Sequence, residues 1–194
     1  MASSNFLDQI KDLTQNLMGS AKESTQWYKD KITDLRKGKD PEYDRDQNLL
    51  FKKASMPEIG SMFLFAYDPK TKATLPFYDM YPLVIPIEFD NNGFLGLNLH
   101  YLPPNARATF LNSLTTISNN DKYDKTTKLN LSYKILKNYS RFGGYEVCVK
   151  RYLYGHVRSS FHSVNPADWK KVVMLPLQRW EINPNKKYAG SPPY

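Results

Sequence analysis

The spacing of apolar positions changes along the chain, and the changes divide it into segments. Over residues 5–37, Phe6, Ile10, Leu13, Leu17, Ala21, Tyr28, Ile32 and Leu35 recur three, four or seven residues apart. That is the period of one helical face, and the opposite face mixes Lys11, Asp12, Lys22, Glu23, Lys29, Asp30, Lys31 and Asp34. Ser4 or Asn5 can cap the start by accepting a first-turn amide, and Gly19-Ser20 is a weak point that could split the helix. An apolar stripe without a neighbouring core predicts docking, on the rest of the chain or on another subunit. Residues 37–51 carry Gly38, Pro41 and mixed charges without a sustained period, and read as a linker.

From Ser61 to Tyr101 the period shortens. Three aromatic-rich runs, Met62 to Tyr67, Leu83 to Phe89 and Phe94 to Tyr101, predict strands. Asp68-Pro69-Lys70-Thr71 fits a type I turn, and Asp90-Asn91-Asn92-Gly93 a tight hairpin using the positive φ that Asn-Gly allows. Beyond Pro103-Pro104 helical spacing returns over 105–117 and again over 126–139, separated by the polar loop 118–125. Arg141-Phe142-Gly143-Gly144 breaks the second helix, and Val147 to Arg158 is read as a third, weakened by Gly155. Asn165-Pro166-Ala167-Asp168 marks a helix start that runs to Met174, and Leu175 to Ile182 is a candidate last strand.

These elements predict an α+β fold: a small antiparallel sheet, SH3-like or barrel-like in one form, with helices packed from residues 104–174. Residues 1–53 form an N-terminal helical arm and linker, 54–182 the core domain and 183–194 an exposed tail.

Charge adds a second division. Residues 1–53 carry ten basic and nine acidic side chains, 54–120 three and five, and 121–194 fourteen and five. The net +8 therefore sits behind the predicted sheet. Such a segment suits a polyanion, either nucleic acid or an acidic protein surface; the alternative is a solvated basic face with no specific partner. Lys134, Lys137 and Arg141 are three and four apart, as are Arg151, Tyr154 and Arg158, with Lys150 alongside. Lys170, Lys171, Arg179, Lys186 and Lys187 follow. Cations can neutralise phosphates, and tyrosines among them can stack on exposed bases. These twelve residues are the candidate DNA contacts, through the backbone and without strong sequence preference.

Catalytic patterns are missing from the sequence: no Gly-x-Ser-x-Gly elbow, no phosphate loop with its lysine, and no zinc spacing among His100, His156 and His162. Asp44 and Asp46 lack the rest of a calcium loop, and Glu88 and Asp90 lack the lysine-bearing strand of a metal-dependent nuclease. His100 reads as a hydrogen-bonded core or edge residue, His156 as a surface contact, and the single Cys148 as a small core residue with no disulfide partner. The reading is a non-enzyme without metal or cofactor. The N-terminus lacks the basic start and apolar stretch of a signal peptide, and no run approaches the ~18 apolar residues of a membrane span. The expected setting is a soluble protein acting where it is made, or packed into something assembled there.

The runs GSMFLFAYDPKTKATLPFYDMYPLVIPIEF and GFLGLNLHYLPPNARATFLNSL resemble the core of small virion proteins of T-even-type myophages. VKRYLYGHVRSSFHSVNPADWKKVVMLPLQRW is similar to the later part of the same proteins, the DNA end protector or head completion family. The resemblance covers residues 55–182. It implies a virion protein, assembled in the host cytoplasm, that binds duplex ends of the packaged genome and shields them from the host exonuclease V, RecBCD. It also implies other virion proteins as neighbours, at the portal, head or neck, with the N-terminal helix as the contact and self-association as a further candidate. The reading from another class is a purely structural head, neck or baseplate component that joins subunits without protecting DNA.

Overall fold

A computed structural model of the chain describes residues 17–36, 53–54, 57–70, 72, 77–139, 148–175 and 181–182. Its centre is the hairpin that the sequence marks most clearly. β4 (Leu83–Asp90) and β5 (Gly93–Asn98) pair antiparallel, with Asp90 opposite Gly93. Asp90 Oδ1 accepts the Asn92 amide at 2.8 Å and closes the turn. Gly93 is required by crowding and not by a positive φ: a Cβ there would lie 2.0 Å from the Tyr152 carbonyl oxygen. A register shift between Pro86 and Glu88 accommodates the proline, which has no amide to give the ladder.

Around the hairpin an antiparallel sheet runs in the order β1 (Lys53–Ala54), β7 (Phe161–Val164), β2 (Met62–Leu64), β4, β5 and β6 (Val149–Leu153). A separate pair joins β3 (Phe77–Tyr78) to β8 (Glu181–Ile182). The described strands thus form an open sheet with β1 and β6 outermost, in place of barrel closure. The α+β class holds.

One expectation fails here. Val147 to Arg158 is not a helix: residues 149–153 pair with β5, and Tyr154–His156 form a 3-10 turn. Val149, Tyr152 and Leu153 suit a pleated surface, and the open side of β5 supplies the ladder that a three-four spacing cannot reveal. Residues 161–164, assigned no element from sequence, form an inner strand whose apolar pattern is obscured by Ser159, Ser160, His162 and Ser163. The third aromatic run also bends, leaving the sheet after Asn98 for a 3-10 turn over Leu99–Tyr101.

Helices cover one face. α1 (Leu17–Arg36) packs on α4 (Trp169–Met174), and α2 (Pro104–Ser118) packs on both α4 and α3 (Lys125–Tyr139). Pro104 occupies the first turn of α2, where its missing amide costs nothing. Asp124 caps α3 by accepting the Thr127 amide at 2.7 Å, a bond that pulls its carboxyl below the usual range. Asn165 caps the 3-10 turn leading into α4, as expected, accepting the Ala167 amide at 2.9 Å.

α1 runs unbroken through Gly19-Ser20, and its Trp27, Tyr28 and Leu35 enter the same buried cluster as Leu64, Ile85, Leu97 and Val172. Of the two docking targets open to its stripe, residues 17–36 use the chain's own core. The candidate caps Ser4 and Asn5, most of the linker and the tail lie outside the described residues.

Candidate nucleic-acid interface

The other face of the sheet is lined by rings. Side chains alternate across a strand, so Phe63 and Phe65, Val84, Phe94, Tyr152 and Phe161 share that face and form a second buried cluster with Tyr67. Phe94 stacks on Tyr152 with centroids 5.3 Å apart, and Phe65 meets both rings edge-on. Such close approach leaves no space at Gly96, whose Cβ would fall 2.2 Å from Val84 Cγ1.

Next to this cluster, at the β6 edge, a cleft of about 340 Å³ opens between the sheet and residues Tyr67, Pro69, Lys70, Tyr78 and Asp79. Its walls include Tyr67, Tyr78, Tyr101 and Tyr152, and its lining also includes Asn98 and Asp79. Hydrogen bonds fix two of these walls and the carboxylate beside them. Tyr67 oxygen accepts the Leu153 amide at 3.1 Å, and Asn98 Nδ2 donates to Tyr152 oxygen at 3.0 Å. Asp79 accepts the Tyr81 amide on one oxygen; the other accepts from Asn98 Nδ2 at 3.1 Å and pairs with His100 Nδ1 at 2.7 Å. His100 is therefore a core residue, as expected, with its ring edge-on to Tyr28. Burial and the nearby Asp79 carboxylate push the hydroxyl pKa of Tyr101 and Tyr152 upward, so both remain neutral donors at physiological pH.

Lys70, Lys150 and Arg151 also line the cleft. Lys150 Nζ lies 4.6 Å from the centre of the Tyr101 ring, a cation–π distance. Half-burial lowers its pKa. Arg151, on the opposite face of the strand, pairs with Asp90 at 2.8 Å. Both are half-exposed, so solvent screens most of that pair's worth.

The predicted basic stripes separate in space. Lys150 and Arg151 are brought to the cleft. Tyr154 is half-buried with its ring 6.1 Å from Phe94, and Arg158 is exposed, donating to the Gly155 carbonyl with Asp68 3.8 Å away. Lys134 is exposed on α3, and Lys137 on the same helix contacts Tyr133 and lies 3.8 Å from Glu88 of β4. Lys170 and Lys171 belong to α4 in the helical layer, where Lys171 pairs with Asp168 at 2.8 Å. Arg141, Arg179, Lys186 and Lys187 lie outside the described residues. Sequence reasoning missed Lys70 and the tyrosine walls. Only the high tyrosine content hinted at them, because the cleft is assembled from three distant segments.

No group of three or more His, Cys, Asp and Glu placed to hold a metal occurs among the described residues. What the cleft presents is a concave surface, aromatic within and cationic at its margin, chemistry suited to an anionic partner with flat rings. The chain belongs to the family described as Phage T4 terminal DNA protecting protein, whose model matches residues 2–192. It is a DNA-binding phage protein that protects DNA ends. Neither curated proteins nor solved structures give a match. No described helix is long and apolar enough to cross a membrane.

Proposed function

We propose that this protein works inside the phage particle, on the termini of the packaged linear genome, and blocks the host exonuclease RecBCD sterically, with no catalytic step of its own. The observation that carries the reading is the cationic cleft at the β6 edge, Lys70, Lys150 and Arg151 against a tyrosine wall, in a chain of a DNA-terminus-protecting family. Lysine and arginine beside phosphates release counterions without reading sequence, which suits a protein that must accept any terminus. Lys137 and Lys134 extend the basic surface past Glu88, which lies two strands from Arg151 in the same row of the sheet. Lys170 and Lys171 sit on α4, in the same helical layer as Lys134 and Lys137, where they suit contact with neighbouring virion subunits during head completion. Tyr154 and Arg158 follow the cleft residues of β6 in sequence and serve the same backbone contacts.

The test is a protection assay. Purified protein is mixed with linear duplex and the host exonuclease, with the same DNA as a closed circle added as competitor. Surviving linear DNA, with little relief by circles, is the expected result. Digestion at the unprotected rate would refute end protection and leave a subunit-joining role.

A further inference from the structure

The cleft has an interior that phosphate binding does not need. Neutralising a phosphate takes accessible cations. Behind the rim, however, lie tyrosine rings and an ordered carboxylate in a space of about 340 Å³, within the range of small-ligand sites. Asp79 is held by the Tyr81 amide, Asn98 and His100, so it is oriented before any ligand arrives. A carboxylate offers about four lone-pair sites, and three are taken. The remaining acceptor capacity lies in an aromatic setting beside a cation.

Building on the end-binding reading above, we infer that the cleft receives the terminal nucleotide of the DNA, unstacked from the duplex. Its base lies against the Tyr78 ring, its phosphate against Lys150 and Arg151, and Asp79 accepts a hydrogen bond from a base amine or the terminal hydroxyl. This arrangement distinguishes an end from the middle by shape. An internal base has two stacking neighbours and a backbone that must leave the cleft again. A terminal base has one neighbour and a backbone on one side, so its extraction costs less. An unpaired terminal base costs less still.

Three DNAs of one sequence test this: blunt linear, linear with a single unpaired terminal nucleotide, and a relaxed closed circle. Each is titrated by fluorescence anisotropy with the full chain and with Tyr78→Ala, a residue on the cleft wall outside both buried clusters. The wild type is expected to bind the overhang on the order of tenfold more tightly than the circle, the effect of one base–aromatic stack. Tyr78→Ala is expected to remove that preference, with a loss of affinity on the overhang about tenfold larger than any loss on the circle. Equal affinity of the wild type for overhang and circle overturns the inference, as does a Tyr78→Ala loss shared equally by all three. If the wild type still protects linear DNA from exonuclease in that case, end protection stands and only the nucleotide cleft falls. If protection is absent too, both fall.

Discussion

Arg107 predicts the largest single loss of stability. It is fully buried on α2, and its guanidinium donates to five backbone carbonyls. Nε reaches Leu99 and Leu102 at 2.7 Å each, and Nη1 reaches Val172, Val173 and Leu175 at the end of α4. Burial lowers its pKa to about 10, so it stays charged at physiological pH. One side chain thus ties the turn that carries Tyr101 to the last turn of α4. In Arg107→Met the volume is roughly kept and the donors are lost. The Leu99 and Val172 carbonyls retain the Leu102 and Leu175 amides, which leaves three acceptors to consider. At about 1–3 kcal/mol for each stripped acceptor, less what water recovers by entering, the cost is about 3–5 kcal/mol. Urea unfolding of the full chain measures it, and with a slope of about 2 kcal/mol/M the midpoint falls by about 2 M. Arg107→Lys keeps the charge but cannot span both sets of carbonyls, and is expected to lose about half as much. A Met variant within about 1 kcal/mol of wild type would refute the account of Arg107 as the tie between these elements.

Other substitutions test other links. Trp27→Ala should cost about 3–5 kcal/mol in the same unfolding experiment, because Trp27 is buried in the main core; a loss typical of a surface site would mean that α1 is an attached arm. Gly93→Ala should destabilise more than Gly96→Ala in thermal unfolding, since its Cβ meets the Tyr152 backbone at 2.0 Å, whereas at Gly96 the obstacle is the Val84 side chain. Lys150→Ala and Arg151→Ala should each reduce the slope of log affinity against log salt on duplex DNA by about 1, and an unchanged slope would remove that residue from the interface. Lys150 also gives a pH signature. Phosphate raises a lysine pKa that burial has lowered, so the complex holds more protons than the free protein and affinity falls as pH rises through the free value. Lys150→Arg should abolish that alkaline loss in a binding titration.

Local signals made part of this fold legible. The β4–β5 hairpin, α2, α3 and the Asn165 cap each depend on residues within a few positions of one another, and each occurs close to where the spacing places it. β6 and β7 do not follow from local spacing, because what makes them strands is the partner strand and not their own period. The cleft is further from local reach. Tyr67, Tyr78, Asn98, Tyr101 and Tyr152 belong to segments that only the sheet order brings together. Two of its cations, Lys150 and Arg151, are visible as charge, but the helical reading places them in one stripe with Tyr154 and Arg158. In the strand they point to opposite faces, and only Lys150 lies on a cleft ring.

That difference separates two reasons for charge on β6. The outermost strand of an open sheet gains from charged residues, which discourage pairing with another chain. Arg151, half-exposed and paired with Asp90, suits that role as well as a phosphate contact. Lys150 does not suit edge protection. Protecting an edge requires a charge that stays in water, yet Lys150 is half-buried over Tyr101 with its ammonium partly desolvated. Desolvating a cation costs free energy, and edge protection returns none of it. A ligand phosphate at the mouth of the cleft would return it, since an anion is attracted most strongly to a cation that water screens least. Lys150, more than Arg151, is therefore the residue on which the proposed phosphate contact is tested.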